Sequence, residues 1–303
     1  MKKRNAYKIK NTKDLFKKLK ISKEILSKKQ KNNLHKNGFL LFPPTSFMKK
    51  NLKKIQSAAN KLIKIEGDKG GWEGKEKYYR KGKFFEKGTN RLGNLLEKNK
   101  IFRDMILIPE VLAASYEIVK SDIKIAGFNL RNPLKGNGRQ KIHIDWKPRK
   151  KITESFDGTV TFVFLDKADL NNGALRIIPG SHRKLGWPEE HIDVDKQHKK
   201  EKRLIVKPGT IIVANLNLWH AGANNISGNQ RKMIMINIKK RNVPQLLNYK
   251  KYLSKKTKKS LNSEQKYLLA IRSFDKTQRA DSVGVGRYYR KDFKNKDSHQ
   301  MSK

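Results

Sequence analysis

Between Asp122 and Arg241 the chain breaks into short apolar segments separated by Gly, Pro and Asn, and this rhythm constrains the fold more than any other feature. Runs at 122–131, 141–146, 158–167, 173–178, 203–206, 210–215, 217–221 and 231–240 each fit a strand of ordinary length. About eight such strands in succession predict a β-sandwich or jelly roll. Upstream, the periodicity is helical. Ser27 can cap a helix to about Lys36 that closes at Asn37-Gly38, and Phe39-Leu40-Leu41-Phe42 reads as a short buried strand stopped by Pro43-Pro44. Leu52, Ile55, Ala58, Ala59, Leu62 and Ile63 lie on one face of a helix over 47–65, and a further helix is expected over 107–119. Gly70 to Gly88 mixes glycine, lysine and aromatics without a period and reads as a loop.

The run Lys141-Ile142-His143-Ile144-Asp145-Trp146 carries the first chemical signal. Strand alternation sends His143 and Asp145 to one face and Ile142 and Ile144 to the other, so one strand offers two metal-ligand side chains together. A second histidine, His220, follows far downstream, and Arg231 stands eleven residues after it. Two histidines and one carboxylate are the facial ligand set of non-haem Fe(II) oxygenases, which leaves positions open for oxygen and a cosubstrate. Each histidine alone is better read as an ordinary strand residue; the ordered set with Arg231 reverses that reading. Zinc-dependent hydrolysis would use the same ligands but gives Arg231 no task.

The chain has 303 residues and a formal net charge of +45, from 72 basic and 27 acidic side chains. The excess is uneven: residues 1–100 carry 30 basic and 8 acidic groups, whereas 101–245 carry 26 and 14. A lysine-biased composition and a polyanion-binding surface would each produce this pattern. The basic aromatic stretch Trp72 to Phe85 is the natural place for nucleic acid to be tracked and stacked, and such binding would be non-specific. The absence of cysteine excludes disulfides and thiolate metal sites, leaving histidine and carboxylate for any metal. No apolar run approaches the ~18 residues of a membrane span, and a cytoplasmic location is expected.

The stretch Asn171-Asn172-Gly173-Ala174-Leu175-Arg176-Ile177-Ile178-Pro179-Gly180-Ser181-His182-Arg183 resembles a segment of the phytanoyl-CoA dioxygenase family of Fe(II)/2-oxoglutarate oxygenases. Asn37-Gly38-Phe39-Leu40, the His143/Asp145 strand, and Pro208-Gly209-Thr210 leading to Trp219-His220-Ala221-Gly222 and Arg231 occur in the family's order. The resemblance spans about residues 30–245. It implies an α+β fold: a double-stranded β-helix core (a cupin-like jelly roll) over 122–241, preceded by helices; beyond it, residues 246–303 read from their own composition as a basic helical extension. Residues 1–30 are expected to form a weakly packed basic extension.

The resemblance further implies that His143, Asp145 and His220 ligate Fe(II) and that Arg231 grips the distal carboxylate of 2-oxoglutarate, a task suited to a planar, permanently charged fork. It places Phe128 and Phe162 near the walls of the cosubstrate and Asn129 and Thr161 near its polar contacts. With O2 as the other cosubstrate, it implies hydroxylation of a small molecule with release of succinate and CO2. Asp145 favours hydroxylation or demethylation over halogenation, because related halogenases replace the carboxylate with a small residue. Many relatives place a hydroxyl residue two after the distal histidine; here it is Gly222, so that contact must be absent or replaced. Arg139, Lys141, Lys147, Arg149 and Arg176 fall near the expected pocket mouth and would suit an anionic substrate. A nucleic-acid-associated oxygenase or basic nucleic-acid-binding protein is the alternative. His182 reads as part of a turn and is assigned to structure.

Overall fold

A computed structural model describes residues 9–66, 88–273 and 275 of the chain. Two antiparallel sheets face one another. The larger has the order β1-β7-β4-β9-β3-β2 and the smaller β6-β5-β8. In chain order the strands are β1 (Phe39–Phe42), β2 (Thr89–Leu92), β3 (Ile123–Pro133), β4 (Gly158–Phe164), β5 (Leu175–Ile177), β6 (Lys202–Leu204), β7 (Ile211–Asn215), β8 (His220–Gly222) and β9 (Met233–Lys240). This is the expected jelly roll with helices on one face. β2, which carries a single aliphatic residue, was not legible as a strand.

Strand alternation divides the interior into two layers. From β4, Val160, Phe162 and Phe164 enter the apolar cluster between the sheets with Ile212, Met233, Leu175 and Ile177. The opposite face of the same sheet presents Val163, Val213, Ile234, Ile236, Phe128 and Leu130 to the helical layer. Covering both faces explains why β3 and β4 are buried along their whole length.

The helical layer is built from α1 (Thr12–Leu19), α2 (Lys28–Asn37), α3 (Ser46–Glu66), α4 (Leu95–Lys98), α5 (Lys100–Met105), α6 (Pro109–Val119), α7 (Tyr249–Tyr252), α8 (Lys255–Ser260) and α9 (Ser263–Leu268). In α2, Ser27 and Gln30 form the reciprocal capping box and Gly38 ends the helix at φ +82°. The Cβ of any other residue at 38 would also sit 2.4 Å from the His182 ring.

Two sequence expectations need correction. The stretch from Ile9 to Leu26 is not weakly packed: Ile9, Leu15 and Leu26 join the same buried cluster as the sheet. Thr12 ties α1 to its neighbours, its amide donating to Asp122 and its hydroxyl meeting that of Tyr267 at 2.9 Å. Basic composition concealed this because the lysines occupy only the outer face. Secondly, residues 141–146 do not form a strand. They bend at Ile142, Asp145 and Trp146 and make one bridge, His143 to His220, while the amides of Ile142 and Asp145 donate to Val194 and Leu216. Three different acceptors serve three residues, so no single partner strand can run alongside.

Candidate metal and cosubstrate site

β8 begins at His220 and pairs with β5 through Ile177. Its outer neighbours hold it from two sides. The Trp219 amide donates to Ser181 Oγ at 2.9 Å, and Gln140 grips Gly222 twice, accepting from its amide and donating to its carbonyl at 3.0 Å each. The conspicuous Pro179-Gly180-Ser181-His182 turn thus serves position: Ser181 anchors the strand that carries His220. His182 is buried, bonds the His35 carbonyl through Nε2 at 3.1 Å and lies 5.6 Å from Phe156. Burial lowers its pKa to about 4, a shift that Arg183 and Arg149 assist and the His35 carbonyl opposes.

His143 and His220 face one another with ring centroids 4.5 Å apart. In each ring Nδ1 donates to the carbonyl two residues earlier, Lys141 at 2.8 Å and Leu218 at 2.9 Å. A carbonyl can only accept, so the proton sits on Nδ1 and the Nε2 lone pair is left for a metal. The Nε2 atoms stand 3.8 and 3.6 Å from the two Asp145 carboxylate oxygens, and one donor atom from each of the three residues lies within 4.8 Å of the others. This set fits a single ion: two neutral imidazoles and one carboxylate, pre-oriented by backbone. The histidine side chains are only 6% and 5% exposed and that of Asp145 is 26% exposed, so the site opens on the carboxylate side. Ile142 and Ile144 turn the other way and pack with Ile178 and Trp219, as alternation predicts even without a full strand.

Arg231, 1% exposed, enters just before β9; its amide donates to Asn132 Oδ1 and its Nη1 lies 3.5 Å from Met233 Sδ. Its guanidinium passes under the Asn172-Gly173 turn, where a Cβ at Gly173 would meet Ala223 O at 3.1 Å and Arg231 Nε and Nη2 at 3.7 Å. Of the four expected cosubstrate neighbours, Phe162 stands edge-on to His220 at 5.4 Å. Asn129, opposite Met235 in the register, shares its inward face. Phe128 and Thr161 point into the helical layer. Phe128 meets Phe102 at 6.3 Å, and Thr161 lies across from Val213 and Ile236. The alternation that turns Asn129 and Phe162 inward turns these two outward, so they do not line the site.

The five cations near the expected mouth are engaged by the protein. Arg176 forms a bidentate pair with Glu201 at 2.9 and 2.7 Å. Lys141 pairs with Asp195, Lys147 with Asp157, Arg139 with the Asp195 carbonyl, and Arg149 with the carbonyls of Ile152, Glu154 and Arg183. The aromatic stretch Trp72 to Phe85 lies outside the described residues. Among the described residues, no helix is long and apolar enough to cross a membrane.

The sequence profile of the phytanoyl-CoA dioxygenase (PhyH) family matches residues 34–233. The chain belongs to that family. PhyH members of this kind are non-haem iron, 2-oxoglutarate-dependent oxygenases, and the His143–Asp145–His220 cluster is where such an ion would be held. Solved structures share the fold. HygX from Streptomyces hygroscopicus, determined with nickel and 2-oxoglutarate bound, superimposes with a TM-score of 0.56 at 16% identity over 71% of this chain and 87% of its own. The non-haem α-ketoglutarate-dependent carbocyclase SnoK from nogalamycin biosynthesis gives 0.57 at 14% identity over 73% and 87%. The epimerase SnoN, in complex with Fe3+, α-ketoglutarate and nogalamycin RO, gives 0.55 at 10% identity over 72% and 84%.

Proposed function

We propose that this PhyH-family chain hydroxylates a small organic molecule, consuming one O2 and one 2-oxoglutarate and releasing succinate and CO2. One oxygen atom goes to the substrate and the other to succinate. The observation that carries the reading is the convergence of His143 Nε2, His220 Nε2 and the Asp145 carboxylate on one point, with both imidazole tautomers set by backbone carbonyls. His143, Asp145 and His220 hold Fe(II), and Arg231 holds the distal carboxylate of 2-oxoglutarate. Iron with the keto acid bound supplies the oxidising chemistry. The protein fixes the ligands, keeps water from the histidine side and leaves the Asp145 side open for substrate.

A carboxylate at 145 supports hydroxylation over halogenation, because it fills the position a halide would need. Substrate is sought by screening a library of small organic metabolites for stimulation of succinate release by the Fe(II)-loaded protein. The expected result is one chemical class that raises succinate formation above the uncoupled rate, with stoichiometric product carrying one oxygen atom from 18O2. Succinate formation that never exceeds background in wild type, or that persists in Asp145→Ala with the same substrate, would contradict the proposal.

A further inference from the structure

We propose that the outer face of the smaller sheet carries a second binding site, for a small organic anion whose carboxylate or phosphate meets Arg139 and Arg203 and whose apolar part lies against Leu170 and Ile226. These four side chains line one open pocket of about 270 Å3, together with the buried Arg176 and Ala223. Pockets for drug-sized ligands begin at about 300 Å3, so the occupant is smaller than that. Strand register puts the pocket across the sheet from the metal ligands. Leu175 and Ile177 of β5 enter the cluster between the sheets, and their partners in β8 are Gly222 and His220. Alternation turns Arg176, its partner Ala221 and the following Ala223 the other way. Arg203 of β6 stands directly opposite Arg176 and shares that outer face.

Lysine outnumbers arginine 56 to 16 in this chain, yet every cation of the pocket is an arginine, and neither a lysine nor a carboxylate lines it. A merely compositional excess of charge would have put lysine there. The arrangement also costs stability. Arg176 and Arg203 form a directly opposed like-charge pair with Cβ atoms about 5 Å apart, which weakens a sheet. Arg176 is neutralised from within by its bidentate pair with Glu201, whose side chain is 1% exposed. Arg203 is exposed, and its guanidinium makes no hydrogen bond or ion pair with another described residue. Arg139 donates through Nη2 to the Asp195 carbonyl at 2.8 Å, while the Asp195 carboxylate is taken by Lys141 at 2.9 Å. Each guanidinium has five N–H donors, so both exposed forks keep donors to offer.

A carboxylate or phosphate accepts from such forks in parallel pairs and offsets the charge that Glu201 leaves unbalanced. The rim adds an apolar requirement. Leu170 and Ile226 are 47% and 62% exposed, and the Ile226 amide donates to the carbonyl of Asn171, next to Leu170, at 2.7 Å, which fixes both side chains on one rim. Hydrocarbon laid against them removes apolar surface from water. An inorganic ion would leave them bare, so the ligand class is an organic anion.

The test is calorimetric titration of the full chain, at fixed ionic strength, with phenyl phosphate and benzoate, each beside its counterpart without the ring, inorganic phosphate and acetate. One of the two ring-bearing anions is expected to bind at a single saturable site per chain, at least fivefold more tightly than its counterpart; which one it is identifies the headgroup. Arg203→Gln should raise that Kd at least tenfold, and Arg203→Lys, which keeps the charge but loses the fork, several-fold. Lys53→Gln, which removes one exposed charge from α3, should leave it within twofold. Absence of saturable binding in wild type, an unchanged Kd in Arg203→Gln, or equal affinity for the ringless anions overturns the proposal. So does equal weakening by Lys53→Gln, which would mark the effect as one of net charge. The Kd of the Fe(II)-loaded protein for 2-oxoglutarate, followed anaerobically by the visible charge-transfer absorption, should stay within twofold of wild type in Arg203→Gln. If it weakens in step with the probe, the probe sits in the inner site and the outer site falls.

Discussion

His143 and His220 hold each other in place: each amide donates to the other's carbonyl at 3.0 Å. The two candidate ligands lie 77 residues apart in the chain, yet this bridge makes them a single mechanical unit. Their rings are then oriented by carbonyls two residues back, so ligand geometry depends on backbone more than on long side-chain networks.

Ser181 extends that unit by accepting from the Trp219 amide beside His220. Ser181→Ala leaves this buried donor without its acceptor, a loss worth about 1–3 kcal/mol. The expected outcome is a lower denaturant midpoint together with weaker Fe(II) binding. A variant that loses stability and keeps wild-type metal affinity would show that Ser181 supports the fold without positioning the ligand.

His182 should make the fold acid-sensitive. Its folded pKa is depressed to about 4 by burial, whereas an unfolded histidine titrates near 6.5. The unfolded chain therefore binds the extra proton first as pH falls. Stability from this group is fully present above about pH 6.5 and is lost progressively toward about pH 4, on the order of 2–3 kcal/mol in all. Unfolding free energies at pH 7 and 4.5 should differ by less in His182→Gln than in wild type; an identical pH dependence would remove His182 as the cause.

The amino-terminal helix is part of the core. Leu15 is fully buried, and the Thr12 hydroxyl reaches both Tyr267 and the Ile123 amide. Leu15→Ala is expected to cost about 2–5 kcal/mol of unfolding free energy, as for other buried leucines. Deleting residues 1–28 should yield insoluble or unfolded protein. A truncated chain with an unaltered melting temperature would restore the peripheral reading.

Much of this was legible in the sequence because strand alternation is a short-range signal. It named most of the strands, put Ile142 and Ile144 opposite His143 and Asp145, and marked the His143–Asp145–His220 set. What escaped notice depends on distance. Gln140 acquires its role only when β8 folds against it, and the glycine at 222 is explained by Gly138 and Arg131, more than eighty residues away, which a Cβ there would meet at 2.8 and 2.9 Å. Phe128 and Thr161 were misplaced by one step of alternation, enough to move a side chain from the site to the helical layer. The packed amino terminus was hidden by lysines that decorate its outer face.

Lys239 is buried without a hydrogen-bond acceptor, its Nζ 3.1 Å from the centre of the Trp146 ring. Burial drives its pKa well below the ordinary lysine value, with Asp145 and Asp157 opposing the shift. Lys239→Met should stabilise the protein by about 1–3 kcal/mol at pH 7, since an apolar chain of similar length escapes the desolvation cost. Depressed folded pKa values make wild-type stability climb as pH rises toward that of unfolded lysine, and the variant should keep only the part due to Lys124, whose pKa burial lowers to about 8. Denaturant titrations at pH 7 and 9.5 measure both effects. A destabilised Met variant would show that Lys239 carries its charge in the folded state.

The central claim is that one backbone-set triad binds iron for 2-oxoglutarate chemistry. Anaerobic titration of Fe(II) in the presence of 2-oxoglutarate, with wild type, His143→Ala and His220→Ala compared side by side, tests it most directly. The account predicts a visible charge-transfer absorption that saturates at one iron per chain in wild type and is abolished in both alanine variants, while both retain cooperative unfolding. A band of wild-type intensity and affinity in either variant would contradict it.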